Sequence, residues 1–182
     1  MREIEERRSV RKYKNVPVEE KKVEAVLQSA RLAPSGSNRQ PWQFILVSDP
    51  DLRRALTEAS NNQSWMMGAP VFIACIADIR ARLEGGGDLY LDENSPDWEL
   101  KRVIRDTAVA IGYLMLEATH QGLGTCWIGM FSQKEIRPIL DIPEDKFVLG
   151  IVTLGYADES PPARARKDLS QMVHKERWGG EV

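Results

Sequence analysis

Histidine is nearly missing from this chain, with only His120 and His174 in 182 residues. Neither lies in a His-Glu-x-x-His pattern or beside a motif that would activate a nucleophile. A zinc hydrolase site is thereby excluded, and a Ser-His-Asp triad is poorly supported. Cysteine is equally scarce. Cys75 and Cys126 stand too far apart for a Cys-x-x-Cys site or a disulfide framework, and each lies in an apolar or glycine-rich run. Buried, reduced thiols are expected of both. No apolar run is long enough to span a bilayer, and the chain opens on a charged helical pattern instead of a signal peptide, so a cytoplasmic location without membrane contact is expected. The net charge is only −2, which gives no global field for nucleic acid or anionic lipid.

Two nucleotide motifs are also wanting. No Gly-Lys-Ser/Thr element marks a P-loop. The run from Gly122 to Gly129 carries the glycines of a dinucleotide fingerprint, but its third glycine comes late and it leads from a helix into a strand, the reverse of the required order.

What is present reads as one α+β domain over residues 1–182, of ordinary composition with 42% apolar and 29% charged residues. Val23, Val26, Leu27 and Ala30 recur at helical spacing and give one buried stripe over 19–31. The apolar runs 44–47, 71–77 and 147–154 have strand length and read as buried on both faces. Asp49-Pro50 supplies an N-cap and a first-turn proline for a helix to about residue 60. Ser132 and Glu135 form a capping box. The longest periodic pattern covers 98–120 and is apolar over so much of its circumference that it should be central. By contrast, 80–96, with Gly85-Gly86-Gly87, reads as a mobile loop or lid.

Charge is distributed unevenly. Residues 1–14 carry six basic side chains against three acidic ones, and residues 161–177 carry five against two. Arg7, Arg8, Ser9 and Arg11 stand near one end; Arg164, Arg166 and Lys167 near the other. Guanidinium forks bind phosphate, and a serine hydroxyl can add a donor. Two such clusters beside proline- or turn-bounded extended chain favour a phosphate clamp over a pair of solvated faces. Between them lies Ala-Pro-Ser-Gly-Ser-Asn-Arg-Gln-Pro-Trp at 33–42, stiff at both prolines and free to turn between. It reads either as an ordinary helix-to-strand connection or as a loop facing a ligand.

Taken in order, Arg-Arg-Ser-Val-Arg-Lys-Tyr, Ala-Pro-Ser-x-x-Asn-x-Gln-Pro-Trp, Gly-Leu-Gly-Thr-Cys-Trp-Ile-Gly, Leu-Gly-Tyr and Arg-x-Arg resemble the FMN-dependent nitroreductase family over about residues 4–178. The resemblance implies a mixed sheet flanked by helices around a long central helix, in an intertwined homodimer with FMN at the interface. The tail after Pro162 has too few apolar residues to fold back on its own core, which agrees with reaching over a partner. In the family pattern Arg7 and Ser9, with Arg8 beside them, hold the FMN phosphate and ribityl chain, and Arg164 and Arg166 close on the phosphate from the other end. Arg11 would face flavin N1 and the C2 carbonyl, where a cation stabilises the reduced ring. Pro34, Ser35, Gly36, Ser37 and Asn38 match the loop that reaches the partner's isoalloxazine. Asn62 and Gln63 resemble a segment on the pyrimidine edge. Ile128, Gly129 and Met130 match the strand end whose N–H groups approach N5 and O4.

The implied activity is an NAD(P)H-dependent, ping-pong reduction of a small oxidised acceptor: a nitroaromatic, a quinone or an activated alkene. No side chain need act as acid or base, and no metal is expected. Reductive dehalogenation or flavin cleavage, as in other members of the superfamily, is the second enzyme reading. A flavin-binding redox sensor without turnover is the reading from another class. Trp42, Trp127 and Tyr156 read more readily as core than as cofactor contacts.

Overall fold

A computed structural model of the chain describes residues 2–83, 85, 87–95 and 98–180. Five helices are described: α1 (Arg2–Glu6), α2 (Glu20–Arg31), α3 (Pro50–Ala59), α4 (Trp98–His120) and α5 (Gln133–Ile136). Four strands, β1 (Trp42–Val47), β2 (Val71–Asp78), β3 (Gly124–Ile128) and β4 (Lys146–Gly155), form a sheet in the order β1-β2-β4-β3.

All three strand pairs are antiparallel. The parallel pairing expected of a mixed sheet is confined to a single bridge between Ser9 and Thr125. The register gives the reason. Val47, the last residue of β1, lies opposite Phe72 near the start of β2, so α3 and the turn after it return the chain to the end it left. The next strand must then run backwards.

Strand β1, at the edge of the sheet, is not buried on both faces as the run 44–47 suggests, since Leu46 is 47% exposed, whereas the central strands β2 and β4 are buried on both faces. On one, Ile73, Cys75, Val152 and Leu154 pack with Val26 and Ala30 of α2 and with Ala110, Ile111, Leu114 and Ala118 of α4. On the other, Phe72, Val148 and Ile151 meet Leu56 of α3, Met66 and Ile136. Each valine, leucine, isoleucine, phenylalanine or methionine among them contributes about 1.5–3 kcal/mol on burial, which accounts for the unbroken apolar runs of β2 and β4. Trp42 is buried in the first of these clusters, and Trp127 and Tyr156 pack against it, which is the core placement read from sequence.

Local signals set the element ends. Asp49 accepts from the N–H groups of Asp51 and Leu52, both at 2.9 Å, at the start of α3. After α4, Gly122 takes a φ of 75°. Its N–H bonds to the Thr119 carbonyl, and that of Leu123 to the Ala118 carbonyl, at 3.0 and 2.8 Å. This is a Schellman stop, and it delivers the chain directly into β3.

The 80–96 segment is not the loose loop its composition suggests. Leu91 is fully buried beside Leu100 and Val103. Arg80 binds Asp145 at 2.8 Å and the carbonyls of Gly85 and Gly87 at 2.9 and 2.6 Å. From below, the buried Arg137 donates to the carbonyls of Leu91 and Glu144, each at 2.7 Å. Glu84, Gly86 and Pro96 of this segment lie outside the described residues.

Candidate functional site

The two ends of the chain meet along β3 and the last residues of β4. Residues 9 to 14 lie against them: the Val10 N–H donates to the Thr125 carbonyl at 2.9 Å, and the Lys14 N–H to that of Tyr156 at 2.8 Å. Tyr13 fixes this segment from inside. It is buried, and its hydroxyl donates to the Val10 carbonyl at 2.7 Å and lies 2.7 Å from Thr153 Oγ1. Burial holds the phenol well above its ordinary pKa.

Beyond β4 the chain zips back along the same segment. Asp158 donates its N–H to the Lys12 carbonyl at 2.9 Å. The Glu159 carboxylate accepts from the N–H groups of Arg11 and Lys12 at 2.5 and 3.1 Å. Pro161 and Pro162 then turn the tail across, so that Arg164 and Arg166 stand on the same cleft as Arg7, Arg8, Ser9 and Arg11. The cleft measures about 720 Å³.

Among the described residues, none of the five arginines has a carboxylate ion-pair partner, whereas Arg2, Arg54, Arg80, Arg82 and Arg102 all do. Arg8 donates only to the carbonyls of Glu5 and Arg7, and Arg166 only to those of Arg164 and Ala165. Converging guanidinium groups repel one another unless an anion lies between them. A phosphate monoester fits this donor set: it is dianionic, accepts several forked hydrogen bonds, and a hydroxyl stands beside the arginines at Ser9.

Arg11 leads out of the cleft. Its guanidinium lies over the Trp65 ring, 5.5 Å from the centroid. Trp65 belongs to a single 3₁₀ turn, Ser64–Gly68, next to Asn62 and Gln63. Gln63 donates from Nε2 to the Ser60 carbonyl at 3.0 Å. Asn61 and Asn62 instead line a second, open cleft of about 650 Å³ with Gly129, Met130 and Phe131. Met130 is exposed there, and its sulfur accepts from Asn61 Nδ2 at 3.3 Å. Ile128 points its side chain into the core, which leaves the backbone as its means of contact with a ligand. Behind this strand end, burial holds the Cys126 thiol above its ordinary pKa, although Arg11, Ser9 and Arg7 pull the other way.

Pro34, Ser35, Gly36, Ser37 and Asn38 do not join either cleft within one chain. Their loop sits against α4, where Asp106 and Arg82 hold the Gly36 peptide. Ser37, Asn38 and Gln40 all take left-handed φ values, 55°, 53° and 49°, at a cost of roughly 1–2 kcal/mol each for Ser37 and Gln40 and less for asparagine. The shape is held from within by the Asn38 N–H on the Ser35 carbonyl and the Gln40 N–H on Ser35 Oγ, both at 2.9 Å. Sequence reasoning missed Arg82, Asp106, Glu159 and Trp65. None carries a local motif; each matters through a contact far along the chain. Among the described residues there is no cluster of three metal-ligating side chains, and no helix is long and apolar enough to cross a membrane.

A Thermus thermophilus protein named NADH dehydrogenase is 29% identical, over 92% of this chain and 91% of its own. The solved structure of an FMN-dependent nitroreductase from Clostridium difficile is 30% identical with a TM-score of 0.77, covering 96% of this chain and 98% of that one. The NADPH:FMN oxidoreductase of Vibrio harveyi, solved with NAD⁺, is 26% identical with a TM-score of 0.86, covering 97% of this chain and 76% of that one. The model of the nitroreductase family matches residues 4–156. The chain belongs to the nitroreductase family.

Proposed function

We propose that this chain is an FMN-dependent oxidoreductase that takes a hydride from NADH or NADPH and passes it to a nitroaromatic, a quinone or an activated alkene in two separate half-reactions. The observation that carries the reading is the meeting of five arginines without carboxylate partners, from both ends of the chain, on one cleft. The names of the Clostridium and Vibrio proteins support it from outside. When bound, FMN supplies hydride acceptance and release at N5.

The protein's own part is binding, orientation and charge. Arg7, Arg8, Arg164 and Arg166 hold the phosphate, and Ser9 adds a hydroxyl beside it. Arg11, propped by Trp65, carries positive charge out of the phosphate cleft, where it favours the more anionic state of the ring. Gly129 and the Ile128 backbone, with Asn62, border the open cleft in which nicotinamide and acceptor take turns. Gln63 acts indirectly, by closing the end of α3.

A homodimer completes the site in this reading, with the 34–41 loop reaching the partner's cofactor. It is supported by apolar side chains left exposed on one chain: Val109 and Tyr113 on α4, and Leu169, Met172, Val173 and Trp178 on the tail, the last 92% exposed.

The absorbance spectrum of the purified protein, followed by anaerobic mixing with each nicotinamide, tests the proposal. A yellow protein bleached by NADH or NADPH and recoloured by a nitroarene is the expected result. A flavin that neither nucleotide bleaches would favour a sensing role, and a colourless protein that takes up no FMN would end the reading.

A further inference from the structure

We infer that Arg82 and Asp106 are positioning residues for the flavin site, because they hold the 34–41 loop by both sides of the Gly36 peptide. The inference rests on the reading of that loop as the element that reaches the partner's cofactor.

The geometry is a closed ring of three hydrogen bonds. The Gly36 N–H donates to Asp106 Oδ2 at 3.2 Å, and the Gly36 carbonyl accepts from Arg82 Nη2 at 2.9 Å. The same nitrogen donates to Asp106 Oδ2 at 3.1 Å. Arg82 lies just after β2 and Asp106 in the middle of α4, so the loop is tied to the central helix by residues distant from it in sequence. The Arg82 side chain is only 6% exposed. Glu99 lies 3.8 Å from its Nε and adds a second carboxylate to the pocket that holds it.

Desolvating a guanidinium and a carboxylate at a surface turn brings little net stability, since the cost of burial offsets most of the attraction. What such a pair does supply is register, because one buried guanidinium nitrogen must reach the Gly36 carbonyl and Asp106 Oδ2 together. Gly36 is part of the device. A Cβ at this position would come within 2.4 Å of Arg82 Nη2, so only glycine lets the guanidinium lie against the backbone. The bonds inside the loop fix its shape, and the clamp fixes where that shape stands on α4. Ser37 and Asn38 follow directly, and they are the residues the loop offers to a ligand.

The test compares the wild-type dimer with Arg82→Ala, Arg82→Lys, Asp106→Asn and Arg7→Ala. FMN affinity is measured by quenching of flavin fluorescence, and release of the loop by the rate of tryptic cleavage after Arg39. Arg82→Lys keeps the charge facing Asp106 and Glu99 while replacing the rigid planar group that sets Nη2 against Gly36, so the inference stays falsifiable if Arg82→Ala does not fold. The expected pattern is faster cleavage at Arg39 and about tenfold weaker FMN binding in the Arg82 and Asp106 variants, with Arg82→Lys milder than Arg82→Ala. In Arg7→Ala, FMN binding should weaken with cleavage unchanged. If the clamp variants bind FMN as the wild type does, while Arg7→Ala binds weakly, the clamp is structural only and the inference is overturned. If Arg7→Ala also binds FMN normally, the cofactor reading falls, and the inference with it.

Discussion

Tyr13→Phe removes one atom from the point at which the N-terminal segment is fastened to the sheet. The ring stays, and with it the packing against Ile128 and Val10. What is lost is the donor to the buried Val10 carbonyl and the partner of Thr153 Oγ1, both at 2.7 Å. A neutral buried hydrogen bond whose acceptor is then left without a donor costs about 1–3 kcal/mol. For a chain of this length that corresponds to a fall in melting temperature of roughly 2–12 °C. Thr153→Val alone should cost less, about 1 kcal/mol, because Tyr13 still serves Val10. The double variant should cost less than the sum of the two single changes, since the bond between the two hydroxyls is lost in each of them, while the bond from Thr153 to the Cys126 carbonyl, 3.3 Å away, goes only with the threonine hydroxyl. Urea unfolding of the apoprotein at fixed concentration, followed by circular dichroism, gives the whole cycle. If Tyr13→Phe changes stability by less than about 0.5 kcal/mol, the scatter of neutral surface substitutions, the fastening does not exist. Strict additivity of the two changes would equally refute the network.

Arg137→Met keeps the aliphatic stem but removes the donor to Leu91, Glu144 and Lys146; a loss of about 2–4 kcal/mol is expected, with faster hydrogen exchange at the Leu91 amide. Asp49→Ala should cost about 1 kcal/mol and Asp49→Asn much less, read by thermal unfolding, because the side chain caps α3. The Glu3 carboxylate, 2.9 Å from His120 Nδ1, raises the imidazole above its ordinary 6.5, and Glu3 itself is lowered from 4.5. On the His120 side, the stabilisation is complete below pH 6.5 and is lost as pH rises through the raised value; on the Glu3 side, it is present above 4.5 and lost as pH falls. The docking of α1 on the end of α4 is therefore strongest between those values. In an NMR titration Glu3→Gln should lower the His120 midpoint towards its ordinary value, with Glu117 still holding it up in part, and an unchanged midpoint would contradict the pairing.

Much of the fold was legible because it is written in short-range pattern. The stripe of Val23, Val26, Leu27 and Ala30, the Asp49-Pro50 start and the Gly122 stop all act within a turn or two of chain, and each appears where the spacing predicts. The 80–96 segment misled for the opposite reason. Its buried Leu91 stands among acidic and small residues without any period, and its fastenings come from Arg137 and Asp145, far downstream. The two arginine clusters were readable as charge, and their meeting required only that Ala157 to Glu159 zip onto residues 11 to 13. The fastening of the 34–41 loop was not readable, since nothing in Arg82 or Asp106 marks them apart from other charged residues until α4 brings both to Gly36. The bond from Gln63 to the Ser60 carbonyl was not readable either.

Titration of FMN into Arg7→Ala/Arg166→Ala is the most direct test of the central claim. Each truncation removes a charge-assisted contact worth about 1.5–3 kcal/mol, so the pair should weaken binding by roughly 10²–10⁴-fold, in a protein whose fold is unchanged by circular dichroism. A double variant that takes up FMN with wild-type affinity would mean that the two ends of the chain do not meet on a phosphate.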